Sequence, residues 1–581
     1  MTKVKIILGI NAYHADASAA IFVDGKMIAA IEEERFTRVK HWSGFPVKAI
    51  EFCLKEAGIG IEQVDYFCIG RDPKAKFLKK VLFLLSHPFV SLPAIKERFS
   101  NSKKVGSIDS ILSAHFGMPQ AHFKGKIKNV EHHISHISSA FFASPFEESA
   151  CLSIDGSGDF TTTMTAFGKA NHIEVLDSVD FPHSLGLFYT AFTQLLGFPH
   201  YGDEYKVMGM APYGKPIYVD KIFEVIEHTS DGLFKIDQSY FRSATSGIIN
   251  YGEDHIPVVA SMYNEKMIEL FGKPRQKHEE LTQYHRDLAA SVQRMTELTI
   301  FHLLNHLHKK TRSENICIAG GVAQNSVANG KITRNTPFKN VYIPSAGHDA
   351  GISMGAALYV QHQQENIKRH YIKSAYTGSK FSNEEIEKWL QAKGIEYVRL
   401  EDEKLYDVVT DCLINGGVVG WMQGRAEFGP RALGGRSIIA DPRRIDAKEI
   451  LNAKIKRRES FRPFAPSILE DYVAEYFELD EPVPFMEKVF PIREDKKASI
   501  PAVTHVDGTG RLQTVMKDIS PRYYALIDSF RKKTGVPILL NTSFNENEPI
   551  VNSPEDAWNC YHRTNMDMLV MENILISRNS I

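Results

Sequence analysis

At 581 residues the chain exceeds what one hydrophobic core supports, so two or three domains are expected. It is 43% hydrophobic and 24% charged, with a formal net charge of −1. That balance excludes a bulk electrostatic pull toward nucleic acid or an anionic membrane, so phosphate chemistry must rest on local Lys and Arg clusters. The six cysteines (Cys53, Cys68, Cys151, Cys317, Cys412 and Cys560) form no CxxC pair. Reduced thiols in a cytoplasmic protein are expected, not a zinc ribbon or a disulfide framework.

Met1–Lys5 leads into an apolar run, Lys5–Ile10, that breaks at Asn11, which reads as a first strand and not a signal peptide. Asn11–Asp16 is polar, Ala17–Val23 is a second strand, Asp24-Gly25 turns the chain, and Lys26–Ile31 returns. The greasiest segment, Phe77–Leu92, carries Lys79, Lys80, His87 and Pro88, so it cannot span a bilayer. The hairpin layout then recurs. Ala150–Ile154 is a strand, Asp155–Asp159 a polar turn, Thr161–Phe167 a strand, Gly168–Asn171 a turn and Ile173–Leu176 a return. A duplicated hairpin with a polar loop after its first strand is the layout of the actin-like ATPase fold, where each loop faces nucleotide phosphates.

A buried strand, Asn315–Ala319, ends in Gly320-Gly321-Val322-Ala323-Gln324-Asn325, with a helix expected to follow. Glycines there let the backbone approach an anion, which makes Gly156, Gly320, Gly321 and Asn325 candidate nucleotide contacts. The next strand, Asn340–Ile343, runs into Ser345–Gly351, and a helix covers Ser353–His362. The pattern then turns polar and irregular, which places a domain boundary between residues 1–365 and 366–581. The second domain alternates helix (Asn383–Lys393) with apolar strands (Gly417–Trp421, Val536–Leu540), so the whole chain is α/β.

Residues His132 and His136 open a helix running through Phe142, four apart and on one face. With Asp155 and Asp349, each ending a strand of the expected cleft, they form a candidate site for a divalent metal. Two imidazoles with two carboxylates suit iron(II), manganese or zinc better than calcium. In the second domain, Gly424–Ser437 carries Arg425, Arg431 and Arg436 among glycines. Arg443, Arg444, the Lys456-Arg457-Arg458 run and Phe461-Arg462-Pro463 follow. Glycine and proline spacing in a near-neutral chain points to a compact anion pocket, not a nucleic-acid surface. Arg511, after Asp507–Gly510, and Asn541-Thr542-Ser543, after a buried strand, add donors to it.

Taken together, these residues resemble the O-carbamoyltransferase family of nodulation-factor, cephamycin and aminoglycoside (tobramycin) biosynthesis. The resemblance is carried nearly end to end. It includes His14–Ser18, Glu32–Arg38 with Lys40-His41, His132–His136 and Tyr205–Gly214. It continues through Gly320–Asn325, Gly429–Ser437, Phe461–Pro466 and Asn541–Asn545. It implies an N-terminal actin-like domain similar to the threonylcarbamoyl-transferring subunit, and a YrdC-like C-terminal domain. It further implies that carbamoyl phosphate and ATP give carbamoyl adenylate, whose carbamoyl group passes to a hydroxyl of a small-molecule acceptor. By the same resemblance, His132, His136, Asp155 and Asp349 hold the metal, iron(II) first, with manganese, magnesium or zinc as alternatives. Lys40 contacts nucleotide phosphate, and Arg431, Lys456, Arg462, Arg511, Asn541 and Ser543 hold carbamoyl phosphate and ATP. His14 matches the family's catalytic histidine, although some members place that histidine directly before the aspartate and here Ala15 intervenes. No nucleic-acid or membrane partner is expected, and the chain is expected to act as a monomer or homodimer.

Two other chemistries fit part of the pattern. An actin-like small-molecule kinase would use the N-terminal loops and leave the C-terminal arginines idle. A metal-dependent hydrolase would use the His/Asp cluster without ATP. The acceptor pocket is expected within Ile217–Leu281, whose composition carries no readable acceptor signature.

Overall fold

The computed structural model describes residues 4–86, 105–246, 249–252 and 254–578. They form two compact units, one of residues 1–328 and 332–372, the other of residues 373–581 together with 329–331. The division falls after Ile372, where the sequence pattern had placed it after Glu365. The intervening stretch stays with the first unit because its polar groups are bonded there. Arg369 donates to the carbonyls of Phe141, Ser144 and Ala170, and the Ile372 N–H donates to that of Ala143.

The first unit contains two five-stranded sheets of the same order. One runs Lys26–Glu32, Ser18–Val23, Ile6–Asn11, Tyr66–Ile69, Ile127–Asn129; the other runs His172–Asp180, Thr161–Lys169, Glu148–Gly158, Asn315–Ala319, Asn340–Tyr342. In each, the first three strands form an antiparallel meander and the last two add in parallel. The duplicated hairpin is therefore part of a duplicated sheet, as the actin-like layout requires. The central strands are buried along most of their length, which is why they read as continuous apolar runs.

Helix Gly351–Tyr359 packs against helix His132–Phe141 and strand Ile6–Asn11. Glycines permit the close approach. A Cβ on Gly9 would stand 1.8 Å from the Ser353 carbonyl oxygen, and one on Gly355 1.8 Å from that of Ser135. Ser18 Oγ donates to the Ala350 carbonyl at 2.7 Å. This seam sets Asp349, just before the helix, against the loop that follows the first strand.

Three local expectations need correcting. The helix expected after Asn325 is one helical turn, Ser326–Asn329, capped by Asn325 through the Ala328 N–H and preceded by a 3-10 turn, Gly321–Gln324. The strand from Glu148 runs on through the polar turn to Gly158, with a register shift there. The helix expected over Ser353–His362 starts at Gly351 and ends in a wide π turn, Val360–Gln364. Of the apolar Phe77–Leu92 segment, Phe77–Ser86 is a helix that buries Phe83 against Phe160 and Phe181, and residues 87–92 lie outside the described residues. Among the described residues, no helix is long and apolar enough to cross a membrane.

The second unit is built on an eight-stranded mixed sheet. Its order is Val398–Arg399, Ile574–Ser577, Met568–Met571, Val419–Met422, Arg436–Ala440, Ile538–Ser543, Ala465–Leu469, Gln513–Val515. Its core includes Trp421, Tyr523, Phe530 and Phe544. Phe530 and Phe544 each contribute about 1.5–3 kcal/mol by leaving water. Helix Asn383–Lys393 starts at the expected residue because Ser382 and Glu385 form a capping box. All six cysteines are free thiols.

Candidate functional site

Glu131 caps the N-terminus of helix His132–Phe141, its carboxylate accepting the Ile134 N–H at 2.7 Å. The cap fixes the first turn, and His132 and His136 project together from it. Their Nε2 atoms each lie 3.1 Å from Asp155 Oδ2, and 3.8 and 3.3 Å from Asp349 Oδ1 respectively. All four residues are buried, with one donor atom from each within 4.8 Å of the others. The other oxygen of Asp155 is held by backbone: Oδ1 accepts the N–H of Gly156 at 2.7 Å and of Gly321 at 3.2 Å. Gly158 makes room for the imidazole, since a Cβ there would stand 2.0 Å from the His132 ring.

Electrostatics divides the imidazoles. Burial pushes His132 below its ordinary value, against the Asp155 bond. Burial acts on His136 too, but the bonds and charges of Asp155 and Asp349 outweigh it and raise that ring to about 9. Burial would also raise the two carboxylates. Instead His132 and His136 hold Asp155 well below the carboxylate range, and His14 with His136 holds Asp349 at about 2. Among the described residues, Asp349 Oδ1 is buried with no well-aligned hydrogen bond, and His136 Nε2 approaches it to 3.3 Å. A buried anionic oxygen in that state, facing two imidazoles and a second carboxylate, fits a divalent cation.

Of the other predicted residues of the first unit, His14 and three glycines adjoin this cluster. His14 Nδ1 is 2.6 Å from Asp349 Oδ2, and its ring centroid is 5.5 Å from that of His132. Gly156, Gly320 and Gly321 surround Asp155. Gly320 has φ of 99°, and a Cβ on it would stand 2.1 Å from the Ile154 carbonyl oxygen. Lys40 is exposed, next to His41. Asn325 is turned inward, its amide exchanging hydrogen bonds with Gln293 at 2.9 and 3.0 Å.

In the second unit, buried Lys456 directs Nζ at Ser543 O (2.8 Å), Ser543 Oγ (3.2 Å), Asn545 O (2.7 Å) and Asn545 Oδ1 (2.7 Å). No carboxylate is among these partners, and burial holds the amine well below the lysine range. Arg511 is lowered as well, by burial and then by the guanidiniums of Arg431, Arg458 and Arg462. Its Nε is buried with no hydrogen-bond partner. Arg462 pairs with Glu459 at 3.3 Å. Asn541 Nδ2 donates to Ala432 O (3.1 Å), Ser467 Oγ (3.0 Å) and Gln513 Oε1 (3.2 Å), which anchors the loop carrying Arg431. Arg458 was not singled out from the sequence. It follows the π turn Leu451–Ile455 in the basic run assigned to the anion pocket, and its guanidinium lies over Phe464. Four guanidiniums gathered closely enough to lower Arg511, beside a buried lysine, suit a polyanion.

Comparison with known proteins decides the family. Residues 6–358 match the carbamoyltransferase N-terminus model and residues 410–578 the carbamoyltransferase C-terminus model. The chain belongs to the carbamoyltransferase family. This carbamoyltransferase is 42% identical to an uncharacterized protein of Synechocystis sp., over 98% of its own chain and 96% of the relative. It is 39% identical to nodulation protein NolNO of Sinorhizobium fredii, over 98% and 80% of the two chains. Nodulation protein U of Rhizobium fredii is 28% identical over 93% and 90%. Among solved structures, HypF of T. kodakarensis matches at 12% identity with a TM-score of 0.30, over 63% of this chain and 49% of that one.

Proposed function

We propose that the enzyme is an ATP-dependent O-carbamoyltransferase. Carbamate derived from carbamoyl phosphate is joined to AMP at the second unit's site. The carbamoyl group is then transferred to a hydroxyl of a small natural-product acceptor at the first unit's site. The arginine cluster around Arg511 carries the reading, because a kinase or hydrolase confined to the first unit would give it no task.

Carbamate resists attack because its own negative charge repels nucleophiles. Esterification to AMP removes that charge and creates a leaving group. Arg431, Arg458, Arg462 and Arg511 would hold phosphoryl oxygens and stabilise the charge that develops on them during transfer. Lys456 ties Ser543 and Asn545 into one rigid wall of this site, and Asn541 fixes the Arg431 loop. In the first unit, His132, His136, Asp155 and Asp349 would hold a divalent metal, iron(II) first by donor type, with manganese, magnesium or zinc as alternatives. When bound, it would polarise the carbamoyl oxygen or neutralise the adenylate phosphate.

The test is pyrophosphate and AMP release from ATP, with and without carbamoyl phosphate, in the absence of an acceptor. Pyrophosphate that depends on carbamoyl phosphate is expected. ADP release, or turnover indifferent to carbamoyl phosphate, would sink the proposal.

A further inference from the structure

The loop that carries Arg431 closes on a single carboxylate oxygen. Glu427 Oε1 accepts the backbone N–H of Leu433 at 2.7 Å, of Gly435 at 2.7 Å and of Arg436 at 3.2 Å. The side chain is only 2% exposed. A buried carboxylate is costly unless hydrogen bonds replace its water, and three N–H groups on one oxygen do so here. Because the acceptor precedes the loop and the donors follow it, these bonds tie the loop's two ends together. The near end is fixed independently. The Phe428 N–H donates to the Ala375 carbonyl at 2.8 Å, and the Ala426 N–H to that of Ser379 at 2.8 Å.

At the far end, other side chains hold carbonyls. Asn541 Nδ2 donates to Ala432 O at 3.1 Å, and Tyr376 Oη and Gln513 Nε2 both donate to Leu433 O at 2.7 Å. Of the four N–H groups from Leu433 to Arg436, that of Gly434 goes to Ser437 Oγ at 2.9 Å and the other three go to Glu427. Between the two ends the loop carries Arg431, whose charge bears on Arg511 together with those of Arg458 and Arg462. Like charges gathered this closely push apart. Arg431 reaches the cluster from this loop, so the repulsion acts to open the loop. A guanidinium that has to be brought back when the anion binds weakens affinity by whatever that gathering requires, whereas one already in place does not.

We propose that Glu427 is a positioning residue for Arg431: it keeps the loop closed against guanidinium repulsion, so that the anion site is formed before carbamoyl phosphate or ATP enters. The part Arg431 plays in turnover rests on the adenylation reading above; the anchoring itself does not. Without the Glu427 carboxylate three N–H groups lose their partner, the loop loosens and Arg431 moves away from the cluster. Arg458, Arg462 and Arg511 stay, so anion binding weakens and is not abolished. Glu427 acts only through Arg431, so its removal matters only while Arg431 is present.

The experiment uses the full chain in a double-variant cycle: Glu427→Ala, Arg431→Ala and the two combined, with Glu427→Gln alongside. Binding of inorganic pyrophosphate is read from the rise in melting temperature across its concentration. Turnover is read as kcat/KM for carbamoyl phosphate in the carbamoyl-phosphate-dependent exchange of pyrophosphate into ATP. Glu427→Ala is expected to weaken pyrophosphate binding and to lower kcat/KM, each about tenfold. Glu427→Gln, which keeps an oxygen for the N–H groups, should recover most of both. The combined variant should be no worse than Arg431→Ala alone. Wild-type pyrophosphate binding in Glu427→Ala overturns the assignment, as does a combined loss equal to the product of the two single losses. If Glu427→Ala does not fold, Glu427→Asp, which withdraws the carboxylate by one methylene, takes its place under the same criteria. A wild type that binds pyrophosphate but shows no exchange overturns the adenylation reading instead, and the cycle is then decided by melting.

Discussion

Asp155 Oδ2 stands 3.1 Å from His136 Nε2, while the other oxygen of the same carboxylate is pinned by backbone N–H groups. The pinning means that Asp155 does not choose its direction; the strand end chooses it. Asp155→Asn keeps an oxygen for the Gly156 and Gly321 amides and removes the negative charge facing the imidazoles. Metal content measured by elemental analysis should fall by at least about tenfold. Carbamoyl-phosphate-dependent pyrophosphate exchange should persist, because the arginine site holds none of these residues. Loss of exchange with full metal content would contradict the separation of the two steps.

Gly158→Ala tests the same cluster by volume alone. The new methyl would stand 2.0 Å from the His132 ring, so ring or strand must shift. Overpacking of this kind costs about 1–3 kcal/mol. Thermal melting and metal stoichiometry should drop together, and added metal should restore less stability than in the wild type. An unchanged metal stoichiometry would count against His132 as a ligand.

Arg511→Ala separates repulsion from binding. Without an anion, Arg511 faces Arg431, Arg458 and Arg462, and removing one guanidinium relieves like-charge repulsion. The variant should melt no lower than the wild type in anion-free buffer. Pyrophosphate should raise the melting temperature of the wild type clearly and that of the variant little. An equal shift in both would show that the arginines do not form the anion site.

What could be read from the chain depended on how local the signal was. His132 and His136 are one helical turn apart, so their shared face follows from spacing. The two sheets follow from two hairpins with the same punctuation. Asp155 and Asp349 could be named because each follows an apolar run in a polar segment that carries glycines. Arg458 was legible only as part of a basic run, because the π turn just before it breaks the helical periodicity that would set its direction. His41 and Asp16 lie 25 residues apart, and their 2.7 Å contact is tertiary, so no local spacing encodes it. The pairing of the Asn325 amide with Gln293 from a distant helix is a tertiary contact that no local pattern encodes.

Away from both sites, His228 offers a test of the fold's acid sensitivity. Its ring stacks on His302 at 4.7 Å with planes 9° apart, and its Nε2 meets Thr299 Oγ1 at 2.9 Å. Burial, and then the charge of His302, lower His228 to about 4. The unfolded chain binds this proton near pH 6.5, well before the folded one does. The stacked pair therefore contributes its full stability above pH 6.5 and loses it progressively as pH falls toward 4. Because the ring is only half-buried, solvent screening reduces the effect to about 1 kcal/mol. In urea titrations at pH 7 and pH 5, His228→Gln should narrow the difference in midpoint between the two pH values. An unchanged difference would assign the acid sensitivity of the first unit to other groups.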